Sequence, residues 1–230
     1  MFTLDHVVPW GRSFDEYRRM FALRDDDLAR RIVGCGDGPA AFNAEATRRG
    51  HRVTSCDPLY RFDRAQIADR IAATCEQVLE QTERNAGEFV WGDVSGIRTV
   101  DELRTVRKAA MQTFLEDYEA GKEAGRYVDA ALPALPFAAD SFGLALCSHF
   151  LFLYSSQVSE RLHRDGLLEM ARVAREVRVF PLIALGGARS PFVETCVRDL
   201  AEAGCAVTIE RVAYEFQRGG NEMMRILAGR

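Results

Sequence analysis

With 230 residues, 47% of them apolar and 28% charged, the chain has the composition of a soluble globular protein with one sizeable core. Its net charge of −4 and isoelectric point of about 5.7 exclude strong nonspecific nucleic-acid binding, which needs a basic excess to displace counterions. No apolar run approaches the roughly 20 residues of a membrane span, and the N-terminus lacks the basic start and apolar stretch of a signal peptide.

The six cysteines include no C-x-x-C pair and the four histidines are scattered, which argues against a zinc site or a disulfide framework. Cys35, Cys56 and Cys147 sit in apolar runs, as suits small buried thiols in a reducing cytoplasm.

In chain order, Ser13-Phe14-Asp15-Glu16 has the form of a capping box and opens a short helix to about Leu23. Asp25, Asp26 and Asp27 favour a second helix start or a solvated turn. Residues 30–33 read as a first strand. Gly38 and Pro39 open a helix that stops near Gly50, and residues 52–56 read as a second strand. Residues 58–125 are mostly helical, with one apolar face at Ile67, Ile71, Cys75, Val78 and Leu79. A second face runs through Leu103, Val106, Ala110, Phe114 and Tyr118, behind the box formed by Thr99 and Glu102. A plain crossover needs only one helix, so this stretch contains an insertion, residues 60–125, which could form a lid.

Residues 127–131 read as a third strand, 132–142 as a loop and 143–148 as a buried fourth strand. A helix over 163–174, a strand over 177–185 and a helix from Ser190-Pro191 to Gly204 follow. Residues 206–216 and 222–227 form a closing hairpin around Gly219-Gly220. Alternating strands and helices imply an α/β protein with a mostly parallel sheet. The whole chain reads as one domain, with residues 1–29 as a helical extension.

The stretch "RIVGCGDGPAAFNAEATRRGHRVTSCDPLY" carries the chemistry. Gly34, Gly36 and Gly38 let backbone approach a ligand after a strand, and Asp57 stands at the tip of the next strand, where it can accept hydrogen bonds from a ribose. A dinucleotide would want G-x-G-x-x-G, but the pattern here is G-x-G-x-G-P, and Asp37 would repel a pyrophosphate. A sulfonium is positive, so electrostatics favours S-adenosylmethionine over NAD.

"VGCGDG" and "VTSCDP" resemble the first two motifs of the class I S-adenosylmethionine-dependent methyltransferases, and "LPFAADSFGLALCSHFLFLY" is similar to their stretch through strand four. The resemblance spans roughly residues 30–227, less the insertion. It implies a doubly wound, Rossmann-like fold: a seven-stranded, mostly parallel sheet with an antiparallel last strand and a helical insertion between strands two and three. It also implies residue roles. Gly34, Cys35, Gly36, Asp37 and Gly38 would line the methionine part of the cofactor, Asp57 would hold the ribose, and Pro58 and Leu59 would flank the adenine. Leu132, Pro133 and Leu135 would wall the adenine's other side, with Ser148, His149 and Phe150 facing the sulfonium and the substrate.

Members usually carry an acid two residues before the first glycine. Here that residue is Ile32, for which Asp37 is a candidate replacement.

His149, at the end of strand four, is the candidate base or substrate-orienting residue, and Tyr154 a candidate hydrogen-bonding partner of the acceptor. Arg104, Arg107 and Lys108 read as a solvated helix face. The sequence thus points to methyl transfer to a small molecule, with no metal, in the cytoplasm, and leaves a homodimer open. Two rival readings are a non-catalytic or cofactor-free interaction protein with this fold, and a nicotinamide oxidoreductase.

Overall fold

The computed structural model describes residues 2–4 and 6–229. Helices α1 (Phe14–Met20) and α2 (Asp25–Leu28) precede β1 (Arg31–Cys35), α3 (Phe42–Arg48) and β2 (Arg52–Cys56). Two long helices, α4 (Arg64–Arg84) and α5 (Val100–Glu123), lead to β3 (Tyr127–Val128). The chain then alternates β4 (Leu144–Ser148), α6 (Glu160–Val173), β5 (Glu176–Phe180) and α7 (Val193–Glu202), and closes with β6 (Ala206–Arg211) and β7 (Glu222–Leu227).

The seven strands form one sheet in the order β3-β2-β1-β4-β5-β7-β6. Neighbours from β3 to β5 are parallel, and β7 is antiparallel to both β5 and β6. This is the Rossmann-like methyltransferase fold.

Side chains alternate across the strands and feed two cores. Ile32, Leu144 and Leu146 pack on one face with Phe14, Phe42, Leu79 and Leu103, so the N-terminal segment and the insertion share this core with the sheet. Val33, Cys35, Ala145 and Cys147 pack on the other face under Leu167 and Met170 of α6 and Leu200 of α7.

Local signals account for several boundaries. The Ser13 hydroxyl accepts from Glu16 N–H at 3.2 Å, and the Glu16 carboxylate accepts from Ser13 N–H at 2.9 Å. Gly50 (φ +84°) follows α3 and Gly204 (φ +84°) follows α7, left-handed stops that glycine adopts without steric cost. The predicted apolar face of α4 is buried throughout.

Other boundaries differ from the sequence-based expectation. Pro39 does not open α3. The helix begins at Phe42, and its first free N–H groups are met from outside, Ala41 N–H donating to Arg12 O at 2.9 Å. Gly11 makes this approach possible, because a Cβ there would lie 2.1 Å from Pro39 O. β5 stops at Phe180, before Pro181, which has no N–H to give the ladder. β3 is only two residues long, and residues 129–131 leave the sheet.

The closing hairpin is not tight. β6 ends at Arg211, and residues 213–221 swing out to pair with the insertion, where Val90 N–H donates to Phe216 O and Arg218 N–H to Glu88 O. Glu102 serves Arg98 N–H (2.7 Å) rather than Thr99. Val106 is only half-buried.

Two ionic networks lock the N-terminal helices onto the fold. Asp27, read from the sequence as part of a helix start or a solvated turn, lies in α2, where it is buried and accepts from both Nη atoms of Arg178 on β5. Arg178 and Arg225 both donate to Glu176 Oε1. Arg107 also departs from its predicted solvated face. It is fully buried and grips Glu16 with two bonds of 2.7 Å.

Candidate active site

A cavity of about 770 Å³ opens at the carboxyl ends of the first four parallel strands, the end at which α/β sheets bind ligands. Its floor comes from Gly36–Gly38 after β1, Asp57–Leu59 after β2, Ala130–Leu132 after β3 and Ser148–Phe150 at the end of β4. Of the predicted residues, Gly36, Asp37, Gly38, Asp57, Pro58, Leu59, Leu132, Ser148, His149, Phe150 and Tyr154 line it.

Gly34, Cys35, Pro133 and Leu135 do not line the cavity. Gly34 lies within β1, Cys35 and Leu135 point into the core under α6, and Pro133 is exposed. Strand alternation explains Cys35: a residue one step beyond Gly34 faces the opposite side of the sheet.

The glycine loop is built around two carboxylates. Asp57 Oδ2 accepts from Gly38 N–H at 2.9 Å and Oδ1 from Leu59 N–H at 2.8 Å, which fixes the carboxylate at the cavity edge. Burial raises its pKa, and the two N–H groups lower it. Gly38 has φ +52°, and a Cβ there would meet no protein atom within 4 Å, so the loop presents bare backbone to open space. Gly36 (φ +68°) lies so close to Phe150 that a Cβ would come within 2.9 Å of its ring.

The Asp37 carboxylate turns inward. Oδ1 accepts from Tyr17 OH at 2.9 Å and Oδ2 from Ser55 Oγ at 2.6 Å. It occupies the space that a Gly34 side chain would take, since a Cβ on Gly34 would lie 1.8 Å from Asp37 Oδ2. Here Gly34 makes room for an acid rather than for a ligand. Burial pushes Asp37 up to about 6, against the hydroxyls of Ser55 and Tyr17. In the apo protein, ionising Asp37 costs stability as pH rises from its ordinary 3.8 through about 6. A cationic ligand favours the ionised form. Cation affinity should therefore rise as pH increases through 6, and Asp37→Asn should flatten that slope. An equal slope in the variant would rule Asp37 out.

At the other wall, His149 takes a left-handed backbone (φ +50°) held by its N–H to Phe180 O at 2.7 Å. Nδ1 shares a 2.9 Å hydrogen bond with Ser148 Oγ, and Nε2 has no hydrogen-bond partner among the described residues. Burial, then the charges of Arg12 and Arg107, hold its pKa well below 6.5. It is therefore a neutral ring at pH 7, suited to orienting an acceptor more than to storing a proton. Tyr154 OH accepts from Val8 N–H at 3.3 Å and so helps to anchor the N-terminal segment over the cavity.

That segment is the part sequence reasoning missed. Val8, Trp10 and Arg12 line the cavity, joined by Tyr17 from α1, Val78 from α4 and Phe216 from the excursion between β6 and β7. The visible signal was "VVPWGR", a Trp and an Arg beside Pro and Gly, directly before the capping box. Among the described residues, no group of three or more His, Cys, Asp or Glu side chains could hold a metal ion, and no helix is long and apolar enough to cross a membrane.

The residues present fit S-adenosylmethionine: a glycine loop with an open position at Gly38, a carboxylate fixed at the cavity edge at Asp57, and a buried acid at Asp37. The cavity volume falls within the roughly 300–1,000 Å³ range of small-molecule sites.

No family model matches the chain. It is 31% identical over 229 residues to the uncharacterized protein MJ0045 of Methanocaldococcus jannaschii, covering 97% of both chains. Among solved structures it is similar to the magnesium protoporphyrin IX methyltransferase of Synechocystis PCC 6803 with bound S-adenosylmethionine (10% identity, 94% of this chain and 91% of that one, TM-score 0.45). It is also similar to the 1,6-didemethyltoxoflavin-N1-methyltransferase of Burkholderia thailandensis (12%, 92% and 75%, TM-score 0.47). A third is PH1948 of Pyrococcus horikoshii, a presumed RNA methyltransferase (12%, 90% and 79%, TM-score 0.43). Likenesses this distant carry no argument about activity, and the fold assignment rests on the strand order and pairing described above.

Proposed function

The chain belongs to the family of the uncharacterized protein MJ0045 of Methanocaldococcus jannaschii, and from that premise we propose that it is an S-adenosylmethionine-dependent methyltransferase acting on a small molecule. One observation carries the reading. A single cavity is lined by the glycine loop and Asp57 together with Ser148, His149 and Phe150, with Phe2, Leu4, Val8 and Trp10 among its other walls.

When bound, the methyl donor supplies a carbon already activated on sulfonium; the acceptor's lone pair forms the new bond while the carbon–sulfur pair returns to sulfur. The protein's work is alignment. Asp57, held by Gly38 and Leu59 N–H, accepts from ribose hydroxyls. Asp37 stabilises positive charge beside the loop. With its Nδ1–H donating to Ser148 Oγ, the neutral His149 accepts a hydrogen bond from the acceptor at Nε2 and keeps the acceptor's lone pair directed. The cavity's volume and its many apolar walls support a small molecule over RNA or protein.

Asp37 argues against the nicotinamide rival, because it buries an acid within the glycine loop against which a pyrophosphate would lie. The six free thiols, five of them buried, support a reducing compartment.

The test is to incubate the protein with methyl-labelled donor and a cell extract. Label should appear in the acid-soluble small-molecule fraction. Label in precipitated RNA or protein would overturn the acceptor class, and no transfer at all would favour the non-catalytic rival.

A further inference from the structure

Arg12 is a buried cation with no counter-ion of its own. It is 8% exposed and lines the cavity. Its one side-chain hydrogen bond is a long 3.4 Å contact from Nη1 to Trp10 O, and its Nε is buried without a partner. It makes no ion pair among the described residues.

The neighbouring charges sharpen the point. Arg107 takes both oxygens of Glu16, which also accepts from Ser13 N–H, Ser13 Oγ and Tyr214 OH. The buried cluster of Arg12, Glu16 and Arg107 therefore carries two positive charges and one negative. The surplus sits on Arg12, the member that reaches the cavity. A buried ion without a partner is costly, so a surplus like this is a place prepared for an anion.

Arg12 acts on the acceptor end. Its charge helps lower the pKa of His149, and at Tyr154 it opposes the burial that raises that hydroxyl's pKa. Asp37, in the glycine loop, has no cation among the groups that shift it. The apolar walls of the same cavity include Leu4, Val8, Phe89, Leu153 and Phe216.

We infer that the acceptor is an apolar acid, a hydrophobic body with one oxyanion group that pairs with Arg12. This rests on the methyltransferase reading for the word acceptor, but the anion site stands on the geometry alone. The oxyanion meets the planar guanidinium, which presents donors in a fixed fork. The apolar body fills the space lined by Phe2, Leu4 and Val8.

The test uses two fluorescent probes of matched shape, 1-anilinonaphthalene-8-sulfonate and neutral N-phenyl-1-naphthylamine. The wild-type protein should bind the sulfonate at least tenfold more tightly. Arg12→Met should abolish that preference, with affinity for the neutral probe retained, and Arg12→Lys should keep part of it. Arg12→Met should also raise the Tm, because it removes an unpaired buried charge. Equal binding of both probes by the wild type, or an unchanged preference in Arg12→Met, would overturn the inference.

A second arm asks whether the anion is the donor's own carboxylate. Arg12→Met should leave the affinities for S-adenosylhomocysteine and for 5′-methylthioadenosine, which lacks the amino-acid end, within threefold of wild type. A tenfold loss for the first alone would assign Arg12 to the donor and overturn the acceptor class. Failure of the wild type to bind either adenosine compound would sink the methyltransferase reading but leave the probe result to decide the anion site.

Discussion

Arg107→Met should cost about 3–5 kcal/mol of folding stability, the usual penalty for removing one partner of a buried ion pair. Arg107 is fully buried, 91 residues from Glu16 in sequence, and holds it with two 2.7 Å bonds. Without Arg107 the Glu16 carboxylate keeps Ser13 and Tyr214 as donors but loses its bidentate cation.

Three elements depend on this carboxylate. It caps α1, ties α5 to α1, and receives the hydroxyl of Tyr214 from the excursion beyond β6. The midpoint of urea unfolding reports the loss. The double variant Glu16→Gln/Arg107→Met should lose less than the sum of the two single variants, because neither charge is then left alone.

The pH dependence has a definite sign. Despite its burial, Glu16 is held down to about 2 by Arg107, then by Arg12 and Ser13 N–H, against its ordinary 4.5. Its stabilising contribution is complete above 4.5 and fades as pH falls toward 2. The deficit of Arg107→Met should shrink over the same interval. A loss below about 1 kcal/mol at pH 7, as is usual for an exposed pair, would show that this one is not buried.

Asp57→Ala should weaken S-adenosylmethionine binding about 10- to 100-fold, since a hydrogen bond to a charged group contributes about 1.5–3 kcal/mol and each 1.4 kcal/mol is tenfold. The carboxylate does two jobs. It is the proposed acceptor for ribose hydroxyls, and it holds the glycine loop through Gly38 N–H while also fixing Leu59. Asp57→Asn separates the two, because its amide oxygen can still accept one of those N–H groups while the charge is lost. The expected order of affinity is wild type, then Asn, then Ala. An affinity for Asp57→Ala within threefold of wild type would remove Asp57 from the site.

Much of the fold was readable because its signals are local. Ser13 with Glu16, Gly50, and the run Ile67, Ile71, Cys75, Val78 and Leu79 each act within a few residues, and the structure follows them. What escaped sequence reading depends on contacts distant along the chain. Nothing in "ELRTVRKAAMQTF" distinguishes Arg107 from Arg104. The first is buried because Glu16 lies beside it, and the second stays near the surface with Glu76.

The start of α3 moved for the same reason. Arg12 O, far upstream, meets Ala41 N–H, so Pro39 is not needed as an opener. Gly34 and Cys35 lie off the cavity because motif adjacency ignores strand alternation and the crowding of Gly34 by Asp37. Residues 6–12, the missing wall, carry no periodic signal, because they are neither helix nor strand.

The most direct measurement of the central claim is calorimetric titration of the wild-type protein with S-adenosylmethionine and S-adenosylhomocysteine, with NAD as the control. The account predicts micromolar binding of the first two, one molecule per chain, and none of NAD. Binding of NAD alone, or of none of the three, would contradict it.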